Sequence, residues 1–108
     1  MSGMKVTTLL SNATVDETSG AASPLNTSRW FNVTVEWGAG SSAGVVAIET
    51  APHKDYAGTW SNLTSFTWAV AESVDVWRGN GPMGAIRARI TTAITTTDKG
   101  VTVTLTEN

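Results

Sequence analysis

Residues 44–70 read GVVAIETAPHKDYAGTWSNLTSFTWAV, and the two ends of this stretch differ in kind from its middle. Gly44–Thr50 and Thr64–Val70 are rich in β-branched and aromatic residues, the composition of strands. The turn formers Pro, Gly, Asn and Asp gather only between them, in Ala51–Leu63, which marks a loop joining two strands. Val46 and Ile48 are expected to face inward and Glu49 outward; Phe66, Trp68 and Val70 share one face, opposite Ser65, Thr67 and Ala69. Tyr56 and Trp60 lie inside the loop, where bulky rings either fold back over apolar surface or meet a partner.

The same rhythm continues on both sides. Trp30–Trp37 (WFNVTVEW) alternates, with Phe31, Val33, Val35 and Trp37 on the expected core face. The glycines and serines of residues 38–42 supply a turn, so a hairpin to Val45–Thr50 is the simplest connection. Upstream, Lys5–Leu10 reads as a short strand ended by Ser11-Asn12. Residues 11–29 are small and polar; either Ala13–Glu17 forms an edge strand or the segment is an arm lying on something else. The chain divides accordingly into a strand and arm, residues 1–28, and a body, residues 29–108.

Downstream, Ala71-Glu72 marks a short turn, and Ser73–Arg78 sets Val74 and Val76 opposite Asp75 and Trp77, which places Trp77 outside the core. A turn is expected at Gly79-Asn80-Gly81-Pro82. In Ala85–Ile94, Ile86, Ala88 and Ile90 oppose Arg87, Arg89 and Thr91, with a possible shift of phase at Thr91-Thr92. Thr97–Gly100 is a turn with Gly100 placed for a positive φ, and Val101, Val103 and Leu105 alternate with threonines after it. Seven or eight short strands at a spacing of roughly ten residues predict an all-β antiparallel sandwich, jelly-roll or immunoglobulin-like, although a small barrel shares this pattern.

Composition narrows the function classes. A chain of 108 residues makes one domain. A net charge of −2 with scattered Lys and Arg carries no footprint for nucleic acid or an anionic membrane. Without cysteine there is no disulfide, thiolate metal site or thiol nucleophile. MSGMKV lacks the apolar stretch of a signal peptide, and no run approaches the roughly 20 apolar residues of a membrane helix, so a protein made in the cytoplasm is expected. Ser and Thr make up about a quarter of the chain, which favours strands and turns.

No catalytic constellation stands out. His53 has neither a second soft ligand nor a nucleophile at a recognisable spacing. Glu36, Glu49, Glu72 and Asp75 fall on polar strand faces or in turns, and Asp16, Glu17 and Asp98 lack the oxygen-rich surroundings of a calcium loop. The expectation is a non-enzyme without cofactor or metal. The four Asn-X-Ser/Thr sequons, at Asn12, Asn26, Asn32 and Asn62, fit the Asn, Ser and Thr content of the chain. The five tryptophans point to binding instead: Trp37 and Trp68 are in register with the core, leaving Trp30, Trp60 and Trp77 as candidate outward rings. Arg87 and Arg89 share one strand face and are expected to pair with Glu36 or Asp75, or with acids of another chain.

Taken together, NVTVEW, GVVAIET, DYAGTWSNL, GAIRARITTAI and GVTVTLTEN resemble small β-sandwich virion proteins of tailed bacteriophages. The resemblance rests on Gly58, Trp60 and Leu63 in the loop, on Arg87, Ala88, Arg89 and Ile90, and on Gly100, Val101 and Val103 in the final strand. The loop reads Tyr56-Ala57-Gly58 where Asp-Gly is usual in that group. The resemblance implies a capsid cement or decoration protein on the virion surface. Its partners would be the major capsid protein and further copies of itself, as a trimer. A carbohydrate-binding or fibre module is the alternative. Trp30, Tyr56, Trp60, Trp77, Arg87 and Arg89 are the candidate interface residues.

Overall fold

A computed structural model describes residues 5–15, 21–22, 30–80 and 84–107. Within them the chain forms eight strands: β1 (Lys5–Ala13), β2 (Ala21–Ala22), β3 (Trp30–Trp37), β4 (Ser41–Ala51), β5 (Ser61–Thr67), β6 (Val74–Asn80), β7 (Ala85–Thr96) and β8 (Val101–Glu107). They build two antiparallel sheets, ordered β1-β8-β3-β6 and β2-β7-β4-β5. Only β4 and β5 are joined as a hairpin within one sheet; every other connection crosses to the opposite sheet. That order is a jelly roll, which decides both the topology and the choice of sandwich over barrel.

The core lies between the sheets and follows the alternation of the sequence. Phe31, Val33, Val35 and Trp37 of β3 and Val101, Val103 and Leu105 of β8 face Val46 and Ile48 of β4 and Ile86, Ala88, Ile90 and Ile94 of β7. Each full burial of such a side chain stabilises the fold by roughly 1.5–3 kcal/mol before conformational entropy is subtracted. The register against β4 slips twice between Ile90 and Thr95 of β7. Two single-residue insertions restore the original parity, so Ile94 returns to the core.

The hairpin expected between Trp37 and Val45 does not form. β3 pairs with β6 and β8, while β4 pairs with β5 and β7, and the glycine-rich segment is an arch that carries the chain across the sandwich. Gly40 turns the arch with φ 81°, a conformation costly for residues with a Cβ. The Ser41 hydroxyl closes it by donating to the Gly38 carbonyl at 2.7 Å and accepting from Trp68 Nε1 at 3.0 Å. The positive φ therefore belongs to Gly40 rather than Gly100, whose missing side chain leaves room for the Ala13 carbonyl.

β6 presents the opposite face from the one its valines imply. Trp77 pairs with Val33, and residues directly opposite in a ladder point to the same side, so Trp77 turns inward with it. There it meets Phe31 edge-on, with ring centroids 5.6 Å apart, and Gly79 makes the space, since a Cβ there would lie 2.5 Å from Phe31. Asp75 also turns inward and accepts the Trp37 indole N–H at 2.9 Å, which offsets its desolvation. Val74 and Val76 are consequently exposed, as is Val70, expected in line with Phe66 and Trp68.

Other expected boundaries move too: β5 begins at Ser61, inside the expected loop, and ends at Thr67. β1 runs through Ser11-Asn12, with Asn12 at φ 50° in an irregular stretch of the ladder, instead of stopping there. β6 continues through Gly79 and Asn80; residues 81–83 of the expected turn lie outside the described residues. Of the two alternatives for this segment, an edge strand at Ala13–Glu17 or an arm, the described part of the first ends with β1 at Ala13, residues 16–17 lying outside the described residues. A two-residue strand forms at Ala21–Ala22, paired with Arg87 and Ile86 of β7. β1 and β2 thus belong to the sandwich, and residues 16–20 and 23–29 of the expected arm lie outside the described residues.

Leu105 is fully buried at the centre of the β8 ladder, so Leu105→Ala is expected to lower unfolding stability by about 2–5 kcal/mol. Thr104→Ala, whose side chain points to the outer face, should cost under about 1 kcal/mol. Urea unfolding followed by far-ultraviolet circular dichroism compares the two.

Candidate functional site

Trp77 faces the core, and the other five sequence candidates separate onto the two outer faces of the sandwich. Tyr56, Trp60, Arg87 and Arg89 converge on the β2-β7-β4-β5 sheet, around a residue expected to be merely solvated. Glu49 is buried, with 7% of its surface exposed, and accepts Arg87 Nε at 2.7 Å while Arg89 Nη1 lies at 3.7 Å. The Arg87 guanidinium lies over the Trp60 ring, 4.3 Å from its centroid. Trp60 donates its indole N–H to the Tyr56 carbonyl at 3.0 Å and packs against Ala51 and Ala85. His53 stands edge-on to Tyr56 in the same loop and is exposed.

This arrangement corrects two expectations. Glu36 and Asp75 belong to the other sheet, so β7 meets Glu49 of β4, its ladder partner, directly opposite Arg87. Trp60 is not an outward ring but a lid, because Arg87 covers one face and Ala51 and Ala85 sit beneath it. With its carboxylate engaged by two arginines and its ring surface used up, the cluster serves as a clamp holding the β4–β5 loop onto the sheet. Glu49, Arg87 and Trp60 are committed to one another, while Arg89 stays exposed beside them.

The outer face of the β1-β8-β3-β6 sheet is the open one. Register places Val6, Thr106, Asn32 and Arg78 in one row, Thr8, Thr104, Thr34 and Val76 in the next, then Thr102, Glu36 and Val74. Trp30 stands at the end of β3, 61% exposed, and with Asn32 and Arg78 it lines a shallow groove of about 280 Å³. Val6, Val74 and Val76 add exposed apolar surface to this mostly threonine field. Of the candidate rings, Trp30 is thus the outward one, whereas Trp60 and Trp77 are taken into the fold. Asn32, Val74, Val76 and Arg78 were not singled out by the sequence, since only the β3–β6 register brings them beside Trp30.

Among the described residues no acid–base pair forms on either face. Glu36 and Glu72 are exposed, Asp75 is bonded to Trp37, and the described residues hold no cluster of three or more His, Cys, Asp or Glu side chains. A cleft of about 410 Å³ at one end contains Glu36 and Lys99, which form no ion pair among the described residues. No protein-family model matches the chain, and neither curated proteins nor solved structures yield a match.

Acrylamide quenching of the tryptophan emission tests the partition of the rings: Trp30→Phe should remove most of the quenchable component, and Trp60→Phe should leave it in place. Glu49→Ala, which strips the hydrogen-bonded acid from two arginines, should destabilise the fold by about 1–3 kcal/mol in urea titrations. Glu36→Ala should have a much smaller effect.

Proposed function

We propose that this jelly roll is a structural virion protein of the capsid cement or decoration type, which binds the head shell of a tailed bacteriophage through the outer face of the β1-β8-β3-β6 sheet. The observation that carries this reading is that face itself. Trp30, Val6, Val74 and Val76 are four large hydrophobic side chains exposed on one sheet face, spaced by threonines that keep it soluble. A capsid lattice repeats one site many times, so a rigid module with modest contacts gains binding by multiplicity rather than by a deep pocket. The major capsid protein is the partner in this reading, the capsid surface the location, and the chain a non-enzyme. Jelly rolls are used in capsid and lectin domains alike.

A carbohydrate-binding or fibre module is the second reading, and the groove of Trp30, Asn32 and Arg78 favours it. An exposed ring beside an amide and a guanidinium supplies the stacking surface and hydrogen-bond donors that recognise a sugar.

Electron microscopy of phage heads lacking decoration protein, incubated with the purified chain, should show added density at symmetry-related positions. Trp30→Ala is expected to weaken that binding at least tenfold. Heads without added density, together with glycan-dependent Trp30 fluorescence, would favour the second reading.

A further inference from the structure

Four strands end the two sheets, and they are not equally blunted. β2 is two residues long, β1 carries two register irregularities and the positive φ of Asn12, and β5 carries one irregularity opposite Ile48-Glu49. Such bulges twist an edge away from further pairing. β6 lacks them along its length: all seven of its residues pair one-to-one with β3, from Val74 opposite Glu36 to Asn80 opposite Trp30, and the one irregularity, Glu72 at φ 58° with its N–H on the Trp37 carbonyl, lies before the strand begins. No described residue pairs with its other side.

The polarity of that free side follows from one bond. Trp37 N–H donates to the Ser73 carbonyl, so the backbone of Ser73 points toward β3. By alternation Asp75, Trp77 and Gly79 point the same way, and the N–H and C=O groups of Val74, Val76 and Arg78 point off the edge. Their side chains lie on the open outer face, all three exposed.

We infer that β6 is a self-pairing edge, and that two copies of the chain join β6 to β6, antiparallel, with Val76 on the two-fold axis. In this register Val76 faces the second copy's Val76 and Val74 faces its Arg78. Every paired residue then belongs to the set whose hydrogen-bonding groups point off the edge. The same register sets a charge match that the monomer leaves open. Glu36 neighbours Val74 on β3, so the row reads Glu36, Val74, then Arg78 of the second copy, and the arginine reaches across a valine to the glutamate. Both are exposed, and neither has an ion-pair partner among the described residues. Within one chain they cannot meet, because Arg78 sits opposite Asn32, four residues along β3 from Glu36.

The contact is isologous and closes at two copies, in place of the three-fold assembly implied by the resemblance. It makes one continuous eight-stranded sheet with both threonine-rich faces on the same side. The pairing stands whatever that face binds. Its strands are short and its area small, which makes the association weak and concentration-dependent.

Because the chain has no cysteine, single replacements report the register directly. Residues opposite each other in a hydrogen-bonded pair have Cα atoms about 5.5 Å apart, within disulfide range, whereas the two copies of Val74 would stand about 14 Å apart. Under mild oxidation the full chain carrying Val76→Cys should become a disulfide-linked dimer. Val74→Cys and the off-edge control Val70→Cys should remain uncrosslinked. Equal crosslinking of all three overturns the register.

In sedimentation equilibrium, Glu36→Lys and Arg78→Glu should each weaken dimerisation about tenfold, and the double variant should restore it. A wild-type chain that stays monomeric at millimolar concentration overturns the inference. So does a trimer, or a double variant no better than the singles. Circular dichroism of each variant separates a lost contact from a lost fold.

Discussion

The arch at Gly38–Gly40 is the constraint on which the architecture depends. Three residues must take the chain out of one sheet and start it in the other, about 10 Å away, with the apolar sides of β3 and β4 still facing each other. A tight hairpin would have paired those strands edge to edge and directed the chain back into its own sheet. What prevents it is the combination of a positive φ at Gly40 and the buried Ser41, whose hydroxyl links the Gly38 carbonyl to the Trp68 indole. The arch is held from outside as well, since Thr97 and Lys99 donate backbone N–H groups to the carbonyls of Gly40 and Ala39. The β3–β4 and β7–β8 connections are therefore one corner of the sandwich rather than two separate loops.

What the sequence makes legible follows from which interactions are local. Alternation is local, so the inward faces of β3, β4, β7 and β8 could be read from Phe31, Val33, Val35, Val46, Ile48, Ile86, Val103 and Leu105, and with them the fold class. Pairing is not local. Nothing in SVDVWR says that Trp77 stands opposite Val33, and without that pairing the two valines outrank one indole as the core face. A single ring of roughly 150–250 Å² outweighed them once it could meet Phe31, with Asp75 compensated by Trp37.

The candidate site divides along the same line. Arg87 and Arg89 were visible as a pair, but their acid was not, because Glu49 looks like any solvated glutamate until β4 is set against β7. Trp60 was conspicuous in its loop, yet conspicuous rings are often conspicuous because they close the fold. Trp30 has less to mark it in the sequence and more exposure in the structure. The open face is thus defined by residues whose significance is collective: threonines, three valines and an arginine that acquire meaning only as rows across four strands.

The pairing of β1 with β8 bears on how the molecule assembles in time. Asn12 Oδ1 accepts the Gly100 N–H at 2.7 Å across 88 positions of sequence, and β8 is the strand that joins β1 to β3. Closing a loop of that length costs about 4 kcal/mol of chain entropy beyond a constant, before any of its contacts form. The transition state must then be reached by a diffusive search between distant segments, and folding belongs to the slow regime of non-local β topologies. Until β8 arrives, β3 has one side of its ladder unfilled. The long-lived hazard for this chain is a kinetic one, in which β3 of a half-folded molecule accepts the β8 of a neighbour before its own.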